Sequence, residues 1–214
     1  MRATVRTAAT AAAALAALTA CGTLTACGTG TGGGAGSAAA LPPDPKVGST
    51  AAPAPAGEAA PALPRAKPTG MKIDAAGVDA KKMVGLAVDP ATGELGVPNA
   101  DTDADNPGWW TQGVTPGEKG AAVLVAHFDT KYGHAVMKNV KKIKLGDLIE
   151  VPREDGKTAR FTIREIEDVA KKDFPTDKVY GDTSRPELRL LTCGGEIKNG
   201  HRTNNVILYA DLVT

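Results

Sequence analysis

Aromatic side chains are scarce in this chain and missing from its first half. Only eight occur among 214 residues, and the earliest is Trp109. The capacity to build a core therefore lies in the last two thirds, enough for one domain of ordinary size. Cysteine is rarer still: there are three, and Cys193 is the only one after residue 27, so the folded region has no pair to make a disulfide. A charge excess is lacking too. From Thr69 onward 20 Lys and Arg stand against 22 Asp and Glu. That balance excludes an electrostatic footprint for nucleic acid and the basic stripe of a membrane-surface binder. No Cys-x-x-Cys or paired-histidine spacing suggests zinc. No glycine-rich phosphate loop follows a strand, since the glycine-rich stretch at 28–36 belongs to a tether. Asp101-Thr102-Asp103-Ala104-Asp105 starts like a calcium loop, but Asn106 stands where the turn needs glycine and Gln112 where a bidentate glutamate is needed. Neither metal nor cofactor is expected.

What is present begins with an export segment. Arg2 and Arg6 form a basic start, and Thr7 to Leu18 is a weakly apolar stretch too short to span a bilayer securely. Leu18-Thr19-Ala20-Cys21 and Leu24-Thr25-Ala26-Cys27 each resemble the small-residue-then-cysteine end of a bacterial lipoprotein signal. That resemblance implies cleavage before one cysteine and diacylation of its thiol, with Cys21 slightly preferred over Cys27. Two acyl chains anchor stably where one does not. An ordinary secretory signal, or a disulfide between the two cysteines, is the plainer alternative. Residues 28–68 hold eight of the fifteen prolines, much Gly, Ala, Ser and Thr, and almost no large apolar side chain. Such a segment buries too little to offset its ordering entropy and is expected to be a disordered tether, stiffer in its proline-rich half. The expected organisation is thus signal 1–27, tether 28–68 and folded domain 69–214.

The domain reads as short strands separated by turns. Candidates are Met71–Ile73, Lys82–Val88 closed by the Asp89-Pro90-Ala91-Thr92-Gly93 turn, Ala121–Ala126, Asp147–Val151, Arg160–Ile166, Leu188–Thr192 and Val206–Leu212. Asp155-Gly156 between two of them predicts a hairpin with a type I′ turn. Ala121–Ala126 is apolar throughout, as a strand buried on both faces must be. Helical periodicity is sparse, one or two turns over 133–140 at most. Seven or eight such strands predict an all-β barrel or sandwich. Trp109-Trp110 is read as a core anchor in preference to an exposed docking pair.

Cys193 is the residue of most interest. Glu187 to Leu191 reads as a strand and Gly194-Gly195 as the turn that ends it, which puts a lone thiol where side chains meet ligands. Thiolate is the nucleophile, so the thiol needs a basic or cationic partner. Of three histidines, His127 follows the apolar run directly. His134 and His201 sit beside glycines and are expected to be solvated.

Four ordered blocks carry a resemblance. Gly117 through Asp129, including Val123-Leu124-Val125-Ala126-His127-Phe128, resembles the histidine block of sortases, transpeptidases of Gram-positive surfaces. Leu145-Gly146-Asp147, Phe174-Pro175-Thr176-Asp177-Lys178-Val179-Tyr180-Gly181 and Leu188 through Gly195 resemble the later blocks, in the same order. The Phe-Pro-Thr and Thr-Cys-Gly-Gly versions are most similar to class F. The resemblance implies an eight-stranded β-barrel with short helices or 3-10 turns, in which His127, Cys193 and an arginine converge on one groove. It further implies that cysteine attacks the Thr-Gly bond of a Leu-Pro-x-Thr-Gly-like sorting signal, and that an amine of cell-wall or pilin type resolves the thioacyl enzyme. Ala126 stands where many sortases have glycine. Arg202, the only arginine after Cys193, is expected in the arginine role, while the register leaves Asn205 or Thr203 open for that position. Thr192 and Asn205 are expected to touch substrate. A monomer held by its lipid at the outer face of the cell membrane completes the picture. Two rivals stand beside it: a non-catalytic surface lipoprotein that uses the barrel to bind a peptide or wall component, and a hydrolytic thiol peptidase.

Overall fold

The computed structural model describes residues 60–213. Nine strands form one sheet. They are β1 (Met71–Ile73), β2 (Val78–Ala80), β3 (Val84–Leu86), β4 (Gly108–Trp110), β5 (Gly120–Val125), β8 (Leu148–Pro152), β9 (Thr158–Ala170), β10 (Pro186–Lys198) and β11 (His201–Val213). Their order is β2-β1-β8-β9-β11-β10-β5-β4-β3, with β6 (Asp129–Thr130) and β7 (Gly133–His134) as a separate ribbon. One helix, α1 (Thr176–Tyr180), and three 3-10 turns complete the described residues. The sheet has to curl. Laid flat, its edges β2 and β3 would lie about 38 Å apart at the usual strand spacing. Only residues 81–83 join those two strands, and that length of chain spans at most about 14 Å. The all-β, barrel-like class expected from the sequence is therefore found, with one more strand in the sheet than eight.

Side-chain alternation divides the sheet into two apolar layers. Leu188 and Leu190 of β10, Val206, Leu208 and Ala210 of β11, and Ala122 and Leu124 of β5 fill the inside with Met71, Ile73, Ile149, Val151 and Phe161. The odd-numbered residues Val123, Leu191, Ile207 and Tyr209 face outward and are covered by Val179 of α1 and its neighbours. This second layer explains the unbroken apolar run of β5, a central strand flanked by β10 and β4 and covered on both sides. In β9 the inward residues change parity, from Phe161 and Ile163 to Ile166. The pairing with β11 slips there, Tyr209 opposing Glu165 and Ala210 opposing Ile163, so Arg164 is the extra residue of a bulge.

Four expectations change on contact with the structure. Asp155-Gly156 does close the β8–β9 hairpin, but only Gly156 has positive φ, +75°. The bonds Gly156 N–H to Arg153 O (3.1 Å) and Arg153 N–H to Lys157 O (2.9 Å) make it a type I turn with a glycine bulge, not type I′. The type I′ hairpin is at Asn199-Gly200, where φ is +52° and +79°. Strand β10 consequently runs through Gly194-Gly195 to Lys198; Gly195 (φ +71°) absorbs a register shift between Gly194 and Ile197 instead of ending the strand. Residues 133–140 form β7 and turns, and no α-helix. Finally, ordered structure starts before residue 69. Leu63 N–H donates to Gly117 O at 2.8 Å, and Ala66 is buried. The buried guanidinium of Arg153 donates to Pro64 O at 2.5 Å and Pro116 O at 2.6 Å, clasping this segment to the domain. The rest of the expected tether, and the signal, lie outside the described residues.

Candidate active site

Strands β5 and β10 are parallel neighbours, with Val125 opposite Leu191. Ala126 N–H extends the ladder by donating to Leu191 O at 2.9 Å. Two residues farther along each strand come His127 and Cys193. Val125 and Leu191 belong to the outward layer, while Cys193 also packs against the inner core. On the other side of β10, Asn205 of β11 is the direct partner of Cys193. His127, Cys193, Thr192 and Asn205 all line one cavity of about 800 Å³. Its walls are largely apolar. Val88, Leu95 and Val97 come from the loop after β3, Trp110 from β4, and Phe174 and Tyr180 from the segment around α1. Trp110 meets Tyr180 edge to face at 5.8 Å. Alternation along β4 therefore splits the tryptophan pair: Trp109 is the core anchor expected of both, and Trp110 is a cavity wall.

His127 is half-buried, and its Nε2 lies 2.6 Å from Pro98 O. A carbonyl only accepts, so Nε2 carries a proton and Nδ1 is the ring nitrogen left for proton exchange. Cys193 is half-buried and makes no disulfide. The hydroxyl of Thr192 is buried with no hydrogen-bond partner among the described residues. An orphaned polar atom beside the thiol is an exception of the kind that clusters at sites of function. Glu94 and Lys171 bring the only formal charges to the lining besides any on His127 and Cys193. Burial pushes the Tyr180 phenol up, which keeps it neutral and able to donate.

Arg202 is elsewhere. It is not among the cavity-lining residues, and its side chain is 4% exposed. Nε and Nη2 donate to Asp129 Oδ2 at 2.9 and 2.8 Å, and Nη1 donates to Gly195 O at 2.6 Å. Its guanidinium carbon sits 4.5 Å over the Phe128 ring. Arg202 and Asn205 are three residues apart on one strand, so regular pleating sends them to opposite faces. Of the two residues expected at the substrate, Asn205 lines the cavity and Arg202 does not. His134 and His201 are exposed. The residues that sequence reasoning missed are the walls, above all Glu94, Leu95, Val97 and Lys171, whose segments carry no periodic signal.

The far end of β10 is built differently. Glu187, 5% exposed, is held by Arg189 Nη2 at 2.7 Å, Arg164 Nη2 at 2.9 Å and Arg185 Nε at 3.2 Å. Burial alone would raise its carboxyl, but Arg189, Arg164 and Arg185 outweigh that and hold it below the usual carboxylate range. Arg189 also stacks over Tyr209 at 5.0 Å.

A sortase-domain model matches residues 71–213, two thirds of the sequence. The chain belongs to the sortase family. Sortase C of Streptococcus pneumoniae matches in structure with a TM-score of 0.52 at 18% identity, over 69% of each chain, which bears on the fold. Sortase A of Listeria monocytogenes is 15% identical, over 69% of this chain and 88% of that one, with a TM-score of 0.49. Sortase D5 of Clostridium perfringens is 20% identical, over 67% and 77%, at 0.48. No curated protein matches. As a sortase, the chain is of the transpeptidase type.

Proposed function

We propose that this sortase is a class F-like cysteine transpeptidase that cuts a Leu-Pro-x-Thr-Gly-like sorting signal between Thr and Gly. The single observation that carries this reading is the convergence of His127, two residues past the end of β5, and Cys193 of β10 on one largely apolar cavity. In the proposed reaction Cys193 Sγ attacks the threonine carbonyl carbon, and the developing oxyanion takes hydrogen bonds from groups lining the cavity, with Asn205 and Thr192 as candidates. The imidazolium of His127 gives a proton to the leaving glycine amine as the C–N bond breaks, leaving a thioester. An incoming amine then attacks that thioester, loses a proton to His127, and expels the thiolate. Apolar walls suit the Leu-Pro end of such a signal and exclude water from the thioester. The class F assignment rests on the Phe174-Pro175-Thr176 and Thr192-Cys193-Gly194-Gly195 blocks.

The enzyme is proposed to act as a monomer at the outer face of the membrane, on a surface-protein signal and a wall- or pilin-type amine. The anchor is a diacylated Cys21 or Cys27, with residues 28–59 as the tether. Changing both cysteines to Ser should move the protein from the membrane fraction to the medium; retention at wild-type levels contradicts the lipid anchor. The activity is tested by incubating the protein with a Leu-Pro-x-Thr-Gly peptide and a glycine- or lysine-type amine, then weighing the products. A peptide joined to the amine through its threonine supports transpeptidation. Free threonine acid alone means a hydrolytic thiol peptidase, and intact peptide contradicts both.

A further inference from the structure

Two short segments leave the candidate dyad: Phe128-Asp129 after His127, and Gly194-Gly195 after Cys193. One side chain holds both. Arg202 reaches Asp129, two residues beyond the histidine, with two N–H groups, and Gly195 O, two residues beyond the cysteine, with a third at 2.6 Å. The Phe128 ring lies beneath the guanidinium, its centroid 4.5 Å from the guanidinium carbon. The fork is nine-tenths buried, and the bulge at Gly194-Gly195 turns the Gly195 carbonyl toward it. That bulge tolerates no side chain: a Cβ on Gly195 would come within 2.5 Å of Thr203 Oγ1.

We infer that Arg202 is a positioning residue that fixes the spacing of His127 and Cys193 by clamping Asp129 to the Gly195 carbonyl, and that it does not touch substrate. The inference rests on the His127–Cys193 reading of the site. Three N–H groups in one rigid plane satisfy a carboxylate and a carbonyl at once, and lysine cannot reproduce that geometry. Partly burying a lone ammonium there would also leave an acceptor unmade. Loosening the clamp lets the two strand exits drift, and a displacement on the order of 1 Å at reacting groups lowers rate by about 10²-fold. Substrate affinity has no reason to change.

The test separates positioning from substrate contact in two assays, the first of which needs no peptide. The rate of Cys193 alkylation by iodoacetamide is measured against pH for the wild type, His127→Ala, Arg202→Lys and Asp129→Asn. Glu94, Lys171 and Tyr180, the other titratable groups around the cavity, stay the same throughout. Positioning predicts that Arg202→Lys displaces the alkylation profile toward that of His127→Ala. Asp129→Asn, which keeps an oxygen acceptor, falls between Arg202→Lys and the wild type. In peptide turnover Arg202→Lys should lower kcat roughly 10²-fold and move KM less than about threefold. An unchanged alkylation profile with KM raised tenfold or more would instead make Arg202 a substrate ligand and overturn the inference. Wild-type behaviour in both assays overturns it too. If Arg202→Lys does not fold, Asp129→Asn and Asp129→Ala carry the same comparison. Should the alkylation profiles differ as expected while no peptide is turned over, the clamp stands and the proposed substrate fails.

Discussion

Strand β10 starts with a stretch, at Glu187, where every buried charge is answered and continues into one, at Thr192-Cys193, where a buried hydroxyl is not. At the first, Glu187 is shared by three arginines. At the second, Thr192 has no partner and Cys193 borders an open cavity. Both stretches belong to one strand and neighbour the same β11, so the contrast does not come from the fold. It comes from what each stretch is kept for. A paired buried charge adds little to net stability, yet breaking it is expensive because the surviving charges stay buried. An unpaired buried hydroxyl lowers stability and persists only where something else benefits. The Glu187 stretch holds the sheet together, and the Cys193 stretch borders the cavity proposed as the active site.

The contrast can be broken by removing the key group from each stretch. Cys193→Ala should carry the largest effect, a loss of roughly 10⁴-fold or more in peptide turnover, since no other thiol lies in the domain. Its thermal midpoint should stay within a few degrees of wild type, as the change only shortens a half-buried side chain. Turnover near the wild-type rate would remove the nucleophile from this stretch. Glu187→Gln should do the reverse. It leaves the 3%-exposed Arg189 without its carboxylate, which should cost about 3 kcal/mol in denaturant unfolding, with kcat/KM per folded molecule unchanged.

Acid sharpens the same point. The arginines hold the Glu187 carboxyl below its usual range in the folded protein, while in the unfolded chain it titrates near the ordinary value of about 4.3. A depressed folded value means that the stabilisation is complete above about pH 4.3 and is lost as pH falls through the folded value. The stability gap between wild type and Glu187→Gln should therefore be flat from pH 5 to 7 and shrink below about pH 4. A gap that widens on acidification would contradict the pairing.

Much of the sheet was legible because burial writes itself into alternation. Ala121–Ala126, apolar on both faces, marked the central strand that ends at His127, and an apolar run led to Cys193. Register was not legible. Gly194-Gly195 and Asn199-Gly200 are competing turn signals five residues apart, and only the pairing of β10 with β11 decides that the first is a bulge and the second the hairpin. The same register decides which of Arg202 and Asn205 faces the cavity. Parity alone excludes both at once, but it cannot choose between them. The cavity walls were hidden for another reason: Glu94 and Val97 sit in a loop and Lys171 in a short 3-10 turn, where position depends on tertiary contacts and not on pattern.

The smallest expected effect tests the contrast most directly, because it requires two quantities to move in opposite directions. Thr192→Val keeps the shape of the side chain and removes the orphaned hydroxyl. Measured together in one denaturant titration and one turnover assay, it should stabilise the protein by about 1 kcal/mol and lower kcat/KM about tenfold. Stability and turnover both falling, or turnover staying at the wild-type value, would mean that the unpaired hydroxyl serves the fold and not the reaction.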